Sequence, residues 1–280
     1  MNNWIILIIL YALVIGFYTC SNKKAVNKTD VYEVFAFFSL ITFFLVAITS
    51  RDINLDFNSL AIIFIRTIII VASWIIAGSA IKKMPISLYA VLMLSKILFT
   101  IALSVLLLKE KLTFTTFIGG ILVITGLFLV NKEPKKKNET ISIKYILMIL
   151  LSCFLSSVAA ILDKKILLNV TSSKLQFWFL LSFTIIMWII LLFRNKKIDF
   201  KNIKKNYWIP LMAITLVVAD KFLFMANEIP ESKVTIMTIV RQISTIEVII
   251  LGKLMFKEKK ILRKLLCSII VILGIIITLI

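Results

Sequence analysis

Histidine is missing from this chain altogether, and its 280 residues include only 14 acids and three cysteines. The lack of histidine removes the commonest metal ligand and the commonest group that titrates near neutral pH. It also removes every Ser–His or Cys–His nucleophile. The three cysteines, Cys20, Cys153 and Cys267, all lie in apolar runs. An odd count in that setting argues against a disulfide framework and for small buried side chains. There is no Walker A loop, which argues against direct ATP drive, and no acidic cluster with metal-ligand spacing. These absences predict no catalytic residues, no metal and no cofactor: the chain reads as something other than an enzyme.

What is present is apolar. Hydrophobic residues make up 61% of the chain, against roughly 45–50% in an average soluble domain, and the mean hydropathy is +1.05. Runs of about twenty apolar residues can cross a bilayer at a rise of about 1.5 Å per residue. Ten such runs occur, at 4–22, 32–50, 59–80, 85–108, 113–131, 142–162, 174–193, 207–227, 231–255 and 261–280. The first has neither a basic leader nor a small-residue cleavage site, so it reads as a retained helix. The expected fold is an all-α integral membrane protein, with the lipid bilayer as its main partner.

A net charge of +19 would suit nucleic acid, but its distribution points elsewhere. Of 33 Lys and Arg residues, 28 fall at or between span ends, and 21 of these sit in the first, third, fifth, seventh and ninth breaks. That alternation follows the positive-inside rule. It predicts a plasma-membrane protein with its odd-numbered loops in the cytoplasm and both termini outside. Nucleic acid is not an expected partner.

The polar segment 132–141 divides the chain into 1–131 and 142–280, and the two parts echo each other. Lys109-Glu110-Lys111 and Gly126 match Lys257-Glu258-Lys259 and Gly274 at an offset of 148. Earlier in each part an offset of 145 sets Pro85 on Pro230, Lys96 on Arg241 and Thr100 on Thr245. Five spans is an odd number, so a second copy must enter the membrane from the opposite side. The expectation is ten transmembrane helices as two inverted five-helix repeats, with a substrate site near the midplane between them.

Several stretches together resemble the EamA-type branch of the drug/metabolite transporter superfamily. Gly16 and Lys23-Lys24-Ala25 stand in the first span and Arg66 in the third. "AIKKMP" (Ala80–Pro85) joins the third to the fourth, and "KEKL" (Lys109–Leu112) precedes "GGILVITG" (Gly119–Gly126). Pro230, "FKEK" and Gly274 carry the likeness into the second half. Ile15 stands where the family has a tryptophan, and Lys96 interrupts a span that is apolar in many members. The resemblance implies a permease that moves small metabolites by alternating access. Sugar-phosphate translocators of the same superfamily are similar in placing basic residues on the fourth and ninth spans.

Polar residues inside the spans are the site candidates. A Lys or Arg at mid-membrane costs about 2.5–3.5 kcal/mol on insertion scales, so Lys96 and Arg241 together cost about 5–7 kcal/mol. Residues that expensive are paired, solvated or used. Thr100 and Thr245 lie one helical turn beyond their cations, Tyr89 seven residues before Lys96, and Thr238 three before Arg241. This pattern predicts an anion site for carboxylate or phosphate, with Trp74 continuing the lining. Asp220 and Glu247 could pair with Lys221, Lys96 or Arg241, the favoured reading, or carry a coupling proton or ion. Arg66 reads as a packing or gating residue that could snorkel to the 50–59 loop. Gly119, Gly126 and Gly274 read as helix packing, Pro85 and Pro230 as helix starts, and Trp4 and Trp208 as interfacial anchors. The leading function is secondary transport of a small anionic metabolite. The alternatives are an exporter of neutral amino acids or drugs with purely structural buried charges, and a non-transporting scaffold or lipid flippase.

Overall fold

A computed structural model describes residues 3–50, 53–93, 95–111, 113–131, 142–194 and 198–257, with positions 270, 273, 274, 276 and 277. These residues form helices and loops, with no strand among them. In chain order the helices are α1 (Asn3–Lys28), α2 (Val31–Thr49), α3 (Phe57–Ile81), α4 (Ile86–Leu92), α5 (Ser95–Leu108), α6 (Phe114–Asn131), α7 (Ile143–Ile166), α8 (Ser172–Phe193), α9 (Phe200–Lys205), α10 (Trp208–Glu228), α11 (Val234–Val240) and α12 (Ile243–Phe256). Eight segments are long and apolar enough to cross a membrane, and Phe114–Gly126 is a shorter apolar helix. The linker 132–141 and most of the expected tenth span lie outside the described residues.

The eight long segments are predominantly apolar, as a bilayer solvent allows. The buried sides meet through aromatic and β-branched residues such as Phe35, Phe38, Phe179, Phe183 and Ile81, while Phe44, Phe57, Ile65, Leu106 and Phe193 stay on the outside. The main packings come as matched pairs: α1 with α10 and α3 with α7, then α1 with α12 and α5 with α7. Two lysines act alike at these junctions. Lys23 Nζ donates to the Met84 carbonyl at 2.8 Å, ahead of α4. Lys164 Nζ donates to the Ile229 carbonyl at 2.8 Å and to Ser232 Oγ at 2.7 Å, ahead of α11.

The fourth and ninth spans are each broken. Runs expected to be continuous at 85–108 and 231–255 instead split into a seven-residue and a fourteen-residue helix. Neither break needs a proline. The ladder tightens to i→i−3 bonds: Lys96 N to Met93 O, Gln242 N to Ile239 O, Ser244 N to Arg241 O, and Thr245 N to Gln242 O. A 3₁₀ stretch inside a helix commonly marks a functional hinge. All four half-helices keep one offset of 148, as do Lys109 and Lys257, both in the left-handed region at φ 54° and 55°. The 145 offset that pairs Lys96 with Arg241 is therefore not the structural one; on 148, Arg241 matches Met93 and Lys96 matches Ser244. Pro85 does precede a helix, its carbonyl accepting from Tyr89 N. Pro230 does not: it lies in the loop before α11, and Lys233 is the N-cap.

Candidate functional site

The two breaks face a common cavity. Its larger lobe, about 180 Å³, is walled by α1, α3, α7 and α10 as well as both broken spans. A second lobe of about 130 Å³ adjoins it. Tyr11, Tyr89, Lys96, Thr238 and Arg241 border both lobes. Trp74 and Asp220 border the first and Thr245 the second. Most of the predicted site residues are thus brought together. Thr100 is not among the cavity residues: it is buried and donates to Ser157 Oγ on α7 at 2.9 Å.

Each break disturbs the helical ladder, and inside a membrane its backbone groups must be satisfied by protein. At α11–α12 the chain repairs itself. Gln242 Nε2 donates to the Thr238 carbonyl and Ser244 Oγ to the Arg241 carbonyl, both at 2.7 Å. At α4–α5 the side-chain contacts come from α7, where Ser157 Oγ lies 3.2 Å from the Lys96 carbonyl and 2.9 Å from that of Cys153. The Cys153 thiol approaches the Leu92 and Met93 carbonyls at 3.8 and 3.7 Å.

The cations differ in how they are held. Arg66 is closed into a bidentate pair with Asp163, Nε to Oδ1 at 2.6 Å and Nη2 to Oδ2 at 2.7 Å. Its guanidinium lies 4.2 Å from the Phe179 ring centroid. It does not reach toward the 50–59 loop, because a buried acid is available one helix away. Arg241 donates through Nη2 to Tyr11 Oη at 2.6 Å and lies over the same ring at 4.5 Å. The Lys96 ammonium makes no hydrogen bond or ion pair among the described residues.

The expected pairing of Asp220 and Glu247 with cations is not found among the described residues. Asp220 lines the first lobe without an ion pair. Lys221, its neighbour in sequence, points away to Ser173 Oγ. Glu247 lies against α1, where Gly16 makes room for it: a Cβ at Gly16 would collide with the Glu247 carboxylate. Its Oε2 has no hydrogen-bond partner among the described residues. Gly119, Gly126 and Gly274 are buried, as packing residues would be. Trp4 is buried too, whereas Trp208 is half-buried.

Sequence reasoning missed Asp163, Tyr11 and the serines of α7. Asp163 falls in "DKK", which looks like the polar end of a span, yet α7 continues to Ile166. Ser73 on α3 donates to the Ser152 carbonyl and contacts Ser156 Oγ at 2.7 Å, giving the cavity a hydroxyl-lined wall. The helical spacing of Ser152 and Ser156 was the available signal.

A sequence model of the EamA-like transporter family matches residues 2–132 and 143–280. The chain belongs to the EamA-like transporter family. It is accordingly a multi-pass membrane transporter, and EamA-like proteins are transporters rather than enzymes. No curated protein matches its sequence. A protein crystal structure of 12% sequence identity is similar over 98% of this chain and 94% of its own, with a TM-score of 0.68. At that identity the likeness is one of fold.

Proposed function

We propose that this EamA-like protein is a secondary transporter that moves a small anionic metabolite, bearing carboxylate or phosphate, by alternating access. One observation carries the reading: Lys96 and Arg241 border the same two lobes, and neither has a carboxylate partner among the described residues. Two uncompensated cations inside a bilayer are costly when empty and cheap when an anion lies between them. Arg241 supplies a planar fork and Lys96 a mobile charge. Tyr89, Thr238 and Thr245 add hydrogen-bonding groups. In this reading 1–131 and 142–280 are inverted five-helix repeats joined by the basic linker 132–141, ten spans in all. The matched packing pairs and the shared 148 offset support that arrangement. The basic loops then face the cytoplasm from the plasma membrane, and Asp220 or Glu247 carries any coupling proton or ion.

A second reading draws on Asp220, whose carboxylate lines the first lobe and gives the cavity a negative pole. It favours an exporter of neutral amino acids. Thermal shifts of the purified protein with phosphorylated, carboxylic, neutral and cationic metabolites separate the two. A ligand at one hundred times its Kd stabilises the native state by about 2.7 kcal/mol. Shifts with anions alone, lost in Lys96→Met/Arg241→Met, are the expected result. Shifts with neutral compounds that survive in the double variant would overturn the anion site.

A further inference from the structure

The half-helix α11 is gripped from the first half of the chain. Val234 N and Thr235 N donate to the two carboxylate oxygens of Glu110 at 2.8 and 3.2 Å. Thr235 Oγ1 donates to the same carboxylate at 2.7 Å. That hydroxyl also lies 2.6 Å from Ser104 Oγ on α5. Glu110 is aimed by the left-handed Lys109, which turns the chain so that Glu110 N reaches the Ser104 carbonyl at 3.3 Å.

A seven-residue helix has few backbone bonds of its own, and its first four N–H groups have no partner within it. A carboxylate on those groups is charge-assisted and favoured by the helix dipole. The gripped helix is also a wall of the cavity: Val234, Met237 and Thr238 line it, and Arg241 follows at the far end. Lys164 holds the carbonyls of the preceding loop, whereas Glu110 holds the first amides of the helix itself.

We propose that Glu110 is a positioning residue for the transport cavity. It latches α11, and with it Thr238 and Arg241. Release of the Val234 and Thr235 amides opens this end of the cavity to water. The proposal rests on alternating access but on no property of the substrate.

The test needs no ligand. Val234→Cys is made in full-length protein with Cys20→Ala and Cys267→Ala. Cys153, fully buried, is kept as a monitor of the fold. The probe is a water-soluble maleimide, and the readout is the labelling rate at each thiol. Adding Glu110→Ala should speed labelling at position 234 about tenfold or more, the factor for loss of a charge-assisted contact. Glu110→Gln keeps one acceptor oxygen and should fall between. Thr235→Val keeps both amides and should give about a threefold rise. Cys153 should stay unlabelled throughout. Equal labelling of position 234 with and without Glu110→Ala would overturn the latch, as would parallel labelling of Cys153, which marks general loosening. Should Glu110→Ala fail to fold, the graded pair of Glu110→Gln and Thr235→Val decides. Because the labelling uses no anion, failure of the anion site and failure of the latch are distinguishable.

Discussion

The α4–α5 and α11–α12 breaks divide their spans into pieces of equal length, yet the first is mended by a neighbouring helix and the second by its own side chains. Ser157 and Cys153 reach across from α7 to the carbonyls beside Lys96. Gln242 and Ser244 turn back onto their own strand of helix beside Arg241. The cations differ in step. Arg241 is fixed by a hydrogen bond and a ring, both from Tyr11, while the Lys96 ammonium has no such partner among the described residues. The cavity therefore has one cation held by a side chain and one that is not, among the described residues.

The largest effect should come from the cation that is paired with a carboxylate. Arg66→Met leaves Asp163 buried and alone and should cost about 3–5 kcal/mol of stability in detergent. Adding Asp163→Leu should recover most of it. Lys96→Met should cost little stability by the same measurement. Equal losses in the two single variants would erase the distinction between held and unheld cations.

Next comes ligand affinity. Arg241→Met should weaken binding of an anion, followed by calorimetry, by about 10- to 100-fold, the range for charged hydrogen bonds. Arg241→Lys should not restore it, because a point charge lacks the fork. Lys96→Arg should retain more than Lys96→Met. Loss of the phenol in Tyr11→Phe removes only the aim of Arg241 and should weaken the anion by about three- to tenfold. An unchanged affinity would mean that the guanidinium does not need Tyr11.

The smallest effect separates the two repairs. Ser157→Ala removes the acceptor of Thr100 and a hydroxyl shared between the Cys153 and Lys96 carbonyls and should cost about 1–2 kcal/mol. Ser244→Ala removes one bond at a half-buried position and should cost about 0.5–1 kcal/mol. Hydrogen exchange should localise the first loss to α5 and the second to α12.

The costly residues were the legible ones. A cation or acid inside an apolar run stands out because the bilayer penalises it, and this singled out Lys96, Arg241 and Asp220 together. Tyr11 did not stand out, since a tyrosine among leucines and isoleucines looks like core. Asp163 was hidden by the two lysines after it, which made a helix interior resemble a loop. The breaks were invisible because neither contains Pro or Gly; what marks them is side-chain bonding to backbone carbonyls. The 145 offset followed the chemical likeness of Lys96 and Arg241. The backbone follows 148, and the two cations reach one cavity from non-equivalent positions.

The shortness of α11 has a mechanical consequence. Seven residues make a lever arm of about 10 Å, anchored at one end and carrying Arg241 at the other. A tilt of roughly six degrees at the anchor sweeps the far end by about 1 Å, comparable with the reach over which a hydrogen bond is lost. The Arg241–Tyr11 bond at 2.6 Å is thus within range of a very small rotation of α11.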